Sequence, residues 1–325
     1  MTRLPVDRLE LVQLGGITQW IRVRAADPAN PPLLLMQQGP GLPVVNEAAG
    51  WEDLLGLERD HTVVYWDQRG TGLSARPLLG RSRRFPISVS LMVEDTLSLL
   101  ELLRDRFGRP AVVVGFSFGA TFAAYAARRR PDLVAALVAV GMDVDVPAAE
   151  RNIHEFVLRS ARIRGNARAV RQLRRIGPPP HVTGRRFRTR ARWAADFGGV
   201  SAHTDYHGIL RALVLGLVRS PDYSGAAAIR ALLGIGVSQS ALLPELAGTE
   251  LVGTVPSLDM PVVLVQGRLD QVAPGAAAVR FHDALSAPSK RLVWFENSAH
   301  TPHLDEPERF RDLLRELHAA QPAGT

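Results

Sequence analysis

A serine set between two glycines, Gly115-Phe116-Ser117-Phe118-Gly119, closes the apolar run 111–116 and opens a helical pattern. This is the G-x-S-x-G spacing of a nucleophile elbow, where a strained strand-to-helix turn lifts the hydroxyl clear of a sheet. Glycines flank it because side chains would collide in so tight a turn. Serine is a weak nucleophile at its own pKa and needs a base within hydrogen-bond reach. Of the nine histidines, His300 is best placed: a short loop separates it from the run 291–295, and the last helical pattern follows it. His303, three residues on, is either a pocket residue or a packing one, and it joins Phe116 as a candidate substrate contact.

An imidazole that acts as base needs a carboxylate to fix its tautomer and stabilise the imidazolium. Asp270 in Gly267-Arg268-Leu269-Asp270 follows the run 261–266. The resulting order Ser117, Asp270, His300 is the one this elbow motif accompanies. Asp143 or Asp145, after the run 133–140, is the alternative acid. A tetrahedral oxyanion also needs two preorganised donors. One is the N–H of Phe118; the second is assigned to Gly39, in the glycine-rich segment Gln37-Gln38-Gly39-Pro40-Gly41. No cofactor and no metal is expected, and the absence of cysteine excludes thiolate chemistry.

These groups need elements to hold them. Short apolar runs alternate with helical patterns, which predicts an α/β class fold with a mostly parallel sheet and helices on both faces. Strands are expected at 9–14, 18–24, 32–36, 62–66, 111–116, 133–140, 261–266 and 291–295. Helices are expected at 89–107, 120–129, near 275–285 and at 307–319. Between about 145 and 257 the rhythm changes to helical patches with a Gly-Pro-Pro-Pro break at 177–180. The expected organisation is a core domain of 1–144 and 258–325 carrying a helical cap insertion at 145–257, with a frayed polar tail at 320–325.

Hydrophobic residues make up 46% and charged residues 22% of the 325, ordinary for a globular chain with a large core. The formal charge of +7 comes almost wholly from arginine, Lys290 being the only lysine, and a GC-rich coding sequence accounts for that bias. Residues 151–220 carry fifteen arginines against three acids; any that face the pocket would favour a neutral or anionic substrate. The opening residues lack an apolar leader, and no segment approaches the roughly 20 unbroken apolar residues of a bilayer span. The expectation is a cytoplasmic protein whose partner is a small molecule or short peptide. Nucleic acid and membrane are not expected partners, and a homo-oligomer stays open.

The sequence resembles the proline iminopeptidase (prolyl aminopeptidase) branch of the α/β-hydrolase superfamily. Gln37–Gly41 looks like its H-G-G-P-G, and Asp67-Gln68-Arg69-Gly70-Thr71-Gly72-Leu73-Ser74 is similar to its D-Q-R-G-x-G-x-S. Ser298-Ala299-His300 followed by Leu304-Asp305-Glu306-Pro307 looks like its G-H-x-x-x-L-E-x-P ending. The resemblance implies a helical cap over the active site and a bracing role for the Asp67–Arg69 loop. It also implies that the cap should recognise a free amine through a glutamate, but Thr204 stands at that position with Asp205 beside it. An uncharged threonine cannot neutralise a buried ammonium. The leading expectation is therefore a serine hydrolase cleaving an ester or amide through an acyl-enzyme. The alternatives are a true prolyl aminopeptidase and a non-hydrolytic receptor or biosynthetic catalyst on the same fold.

Overall fold

The computed structural model describes residues 4–75 and 85–319. The tail expected to fray, 320–325, lies outside them. Eight strands form one sheet: β1 (Val6–Leu14), β2 (Ile17–Ala25), β3 (Pro32–Met36), β4 (Thr62–Asp67), β5 (Ala111–Phe116), β6 (Val134–Val140), β7 (Val262–Gly267) and β8 (Lys290–Phe295). Their order is β1-β2-β4-β3-β5-β6-β7-β8, and every pairing from β4 to β8 is parallel. The first two strands form an antiparallel hairpin that joins β4 in antiparallel register.

Strands β3 to β7 are buried almost throughout because helices cover both faces, so they read as continuous apolar runs. On the core these helices are α1 (Ala48–Leu55), α2 (Val89–Phe107), α3 (Phe118–Arg129), α10 (Gly275–Ala284), α11 (Pro302–Asp305) and α12 (Pro307–Ala319). Between β6 and β7 come α4 (Val146–Ile163), α5 (Ala167–Ile176), α6 (Gly184–Asp196), α7 (Tyr206–Arg219), α8 (Gly225–Leu246) and α9 (Leu251–Thr254). Side-chain caps start several of them: Asp145 for α4, Asn166 for α5, Asp205 for α7 and Ser224 for α8.

The expected elements appear with their edges unmoved or moved by up to three residues. Helix α3 starts at Phe118, earlier than 120, since the serine turn feeds straight into the helix. Helix α1 was not anticipated; its eight residues give too short a window for periodicity to register. The insertion is helical, but its last turn belongs to the core: Leu251, Val255 and Leu258 pack with the sheet's main apolar cluster. By length and composition α8 is apolar enough to cross a membrane, although one of its faces is buried against the protein.

The Asp67–Arg69 loop is a brace. Asp67 is fully buried and accepts from the N–H groups of Val44 (2.8 Å), Val45 (3.0 Å) and Leu73 (2.7 Å), and from the Tyr223 hydroxyl. Arg69 donates two bonds of 2.7 Å to Asp95 and one of 2.9 Å to the carbonyl of Gly15. This buried, two-pronged pair ties β4's end to α2 and to the β1–β2 turn.

Candidate active site

Ser117 is the one non-glycine residue with positive φ among the described residues, at 53°. Such a conformation is costly for a side-chain-bearing residue and persists only where the surroundings enforce it. Here the enforcement is visible. A Cβ on Gly115 would lie 2.4 Å from Cα of Ala120, and one on Gly119 would lie 2.3 Å from the carbonyl oxygen of Gln37. The elbow thus packs against both the start of its own helix and the end of β3. The Ser117 N–H donates to the Val140 carbonyl at 2.8 Å, which locks the turn to β6.

Nδ1 of His300 lies 2.8 Å from Oδ2 of Asp270. A carboxylate can only accept, so Nδ1 carries the proton and the Nε2 lone pair is left free to act as a base. The other oxygen of Asp270 accepts from the N–H groups of Val272 (2.7 Å) and Ala273 (2.9 Å), and Gln266 donates to Oδ2 at 3.3 Å. Burial works against a charge on His300, but the Asp270 carboxylate outweighs it and raises the imidazole pKa above its ordinary value. The loop 199–201 clips this machinery to the cap. His300 N–H donates to the Val200 carbonyl (2.9 Å), and Gln271 N–H donates to the Gly199 carbonyl (3.2 Å).

Ser117 and His300 open on one cavity of about 720 Å³ between the core and the cap. Gly39 and Phe118 line it too. Phe118 is the first residue of α3, where an N–H has no partner within the helix and the dipole favours negative charge. Gly39, with φ of 136°, holds a backbone shape open to glycine alone.

The hydroxyl of Ser117 is bonded elsewhere. Its Oγ donates to Oδ2 of Asp143 at 2.8 Å. Asp143 was considered as the acid, but Asp270 holds His300, and Asp143 contacts the nucleophile instead. Burial pushes the Asp143 carboxyl up to about 6, against the lowering influence of His300 and of the Ser117 bond. Glu47 also lines the cavity, accepting from Asn46 at 2.6 Å, and burial raises its carboxyl to about 7. No motif marks either acid as a pocket residue. For Asp143 the available signal was its place two residues after the glycine that follows β6.

The four expected substrate contacts fare differently. Thr204 lines the cavity. Asp205 does not: it is exposed and caps α7 by accepting from Gly208 N–H at 2.8 Å, so it is no stand-in for the missing glutamate. Phe116 and His303 are also corrected, being buried side by side under the sheet with ring centres 4.2 Å apart and Trp51 at 5.3 Å from His303. Burial, then the nearby His300, drives the His303 pKa down to about 3, which keeps it a neutral packing group.

The arginine excess does not face the cavity either. Among the described residues only Arg190 and Arg211 line it, against Glu47, Asp143, Glu150 and Asp305. Arg190 is paired with Glu150, which also accepts from His181 N–H at 3.0 Å. Burial would raise the Glu150 carboxyl, but His181 and Arg190 prevail and hold it at about 2.

A parallel sheet with a serine elbow, a carboxylate–imidazole pair and a helical cap defines a class of hydrolytic enzymes. The profile of the alpha/beta hydrolase family matches residues 39–313, and the chain belongs to that family. It is similar to the probable aminopeptidase YbaC of Bacillus subtilis, 27% identical over 93% of each chain. Among solved structures it resembles a proline iminopeptidase-related protein of Thermus thermophilus. That likeness has a TM-score of 0.63 and 21% identity, over 97% of this chain and 98% of the other. An esterase of Exiguobacterium antarcticum also matches, with a TM-score of 0.57 and 17% identity over 95% and 99%. At these identities the two structures bear on the fold alone.

Proposed function

We propose that this hydrolase cleaves an ester or amide of a small substrate through an acyl-enzyme, with Ser117 as nucleophile, His300 as base and Asp270 as its orienting acid. The observation that carries this reading is the strained Ser117 opening on the same cavity as an imidazole whose Nδ1 is held at 2.8 Å by a buried carboxylate. On substrate binding the Ser117 hydroxyl turns from Asp143 to Nε2 of His300, which takes its proton as Oγ attacks the carbonyl carbon. The amides of Phe118 and Gly39 hold the oxyanion. His300 then gives the proton to the departing oxygen or nitrogen, and a water repeats the sequence to release the acid. A fluorophosphonate probe tests it: wild type should be labelled at Ser117 by peptide mass spectrometry. Absence of label there sinks the reading and leaves a non-hydrolytic role on this fold.

A second reading is release of an N-terminal proline or similar residue. Asp143 favours it, since an α-ammonium would lie two bonds from the carbonyl that Ser117 attacks, within reach of that carboxylate. The similarity to a probable aminopeptidase points the same way, whereas Thr204 in place of the family's glutamate points against it. Rates on proline p-nitroanilide beside short p-nitrophenyl esters decide between them.

A further inference from the structure

Fourteen large apolar side chains are exposed among the described residues, and eight of them fall between 210 and 237, on α7 and α8. The spacing is regular. Leu210, Val214 and Val218 repeat every four residues along α7, as Ile229, Leu233 and Val237 do along α8. Residues at i, i+4 and i+8 share one face of a helix. A loop of five residues, 220–224, joins the two helices, which touch one another and both border the cavity. Val218 is 70% exposed, and the three α8 residues are each more than half exposed. Monomeric proteins rarely expose a large contiguous apolar patch without a partner.

Basic residues predominate along this face, with the exposed acids Asp205 and Glu245 standing at its two ends. From Tyr206 to Pro244 the sole acid is Asp222, and it is bonded at 2.5 Å to Arg22 of β2. Arg211, Arg219 and Arg230 lie along the same helices, and none is ion-paired among the described residues. The face also adjoins the catalytic cavity: Leu215 and Arg211 belong both to its exposed border and to the cavity lining.

We propose that the outward face of α7 and α8 docks on the surface of a bilayer containing anionic lipid, with the mouth of the Ser117 cavity turned towards it. Apolar side chains would enter the headgroup boundary while the arginines meet lipid phosphates. A second copy of the chain fits less well. At 1.5 Å per residue the fourteen residues of α7 span about 21 Å. Two helices of that reach cover on the order of 400 Å², about half of what each partner buries in a stable pair. A two-fold contact would also bring the unpaired arginines of each copy together. The expectation that no membrane takes part rested on the want of a spanning segment, and surface docking needs none.

The test is co-sedimentation of the full chain with vesicles of phosphatidylcholine alone and with added phosphatidylglycerol, at low and high salt. It needs no catalytic activity, so it can fail or succeed independently of the proposed hydrolysis. The expected result is pelleting with the anionic vesicles that weakens with salt. The double variant Ile229→Glu/Leu233→Glu should lower that partition by at least about tenfold. Val218→Glu, at the exposed end of α7, provides a milder disruption, and both are accepted only if Tm stays within about 4 °C of wild type. Wild type left in the supernatant with anionic vesicles, or variants that pellet equally well, overturns the proposal. So does a wild-type dimer in sedimentation velocity that the variants dissociate while vesicle binding is absent.

Discussion

Two loops at the same edge of the sheet carry one aspartate each, and both aspartates are 4% exposed. Asp270, after β7, has its oxygens taken up by two backbone N–H groups, a glutamine and the His300 ring. Asp143, after β6, has the Ser117 hydroxyl. Equal burial therefore has unequal consequences. A carboxylate surrounded by fixed donors is a structural part of the base it orients, whereas one with a single hydroxyl donor is left to desolvation, and its pKa climbs to about 6. Depth alone does not separate the two acids; the donors around them do.

Variants can break or sharpen that contrast. The largest effect belongs to the group both loops serve: Ser117→Ala should lower kcat about 10⁴–10⁶-fold while circular dichroism and Tm stay near wild type. Asp270→Asn comes next, with a loss on the order of 10⁴-fold in kcat, since the amide stabilises the wrong imidazole tautomer. Its residual pH–rate profile should also move. Asp270 raises the His300 pKa, and the base works only when neutral, so the acid limb should shift to lower pH in the variant.

Asp143→Asn should behave in the opposite way on a neutral ester. Above about pH 6 the ionised wild-type side chain competes with His300 for the Ser117 proton. The variant should then raise kcat/KM by up to about tenfold, as expected for weakening one charged hydrogen bond. The difference should close as pH falls below about 6. A thousandfold loss on the ester would make Asp143 part of the triad chemistry and erase the contrast. A loss confined to proline p-nitroanilide would assign Asp143 to amine binding.

The smallest effect is on stability. Glu47 is raised by burial from 4.5 to about 7, so the native state holds a proton that the unfolded chain releases. Its contribution is full below about pH 4.5 and is lost as pH rises towards 7. Glu47→Gln should therefore be more stable than wild type above pH 7, by about 1–3 kcal/mol, with no gain at pH 4. Urea unfolding at both pH values measures this.

Much of this architecture was legible from residue order. Continuous apolar runs such as 111–116 and 261–266 marked strands covered on both faces, and the glycines around Ser117 marked the turn between β5 and α3. The Asp67–Arg69 segment could be read as a brace from its likeness to a known motif, and its four acceptor bonds bear that out. The pocket wall was not legible. Asp205 and His303 are polar residues close in sequence to functional ones, yet a one-residue step along the chain decides whether a side chain caps a helix or faces a cavity. Glu47 escaped notice, and Asp143 was read only as an alternative acid, because their place in the pocket comes from dehydration by distant segments, which leaves no local pattern. The exposed stripe on α7 and α8 was hidden for a related reason: apolar spacing announces a helix face but not whether anything covers it.

The clip formed by loop 199–201 sets a condition on redesign. Its carbonyls receive the N–H groups of His300 and Gln271, so the loop between α6 and α7 is also a splint for the imidazole and for the loop bearing Asp270. A chimera that exchanged the whole insertion for one from another hydrolase would remove that splint together with the specificity walls. A transplant that kept 199–201 as part of the recipient would preserve the alignment of the imidazole and alter only what enters beside it.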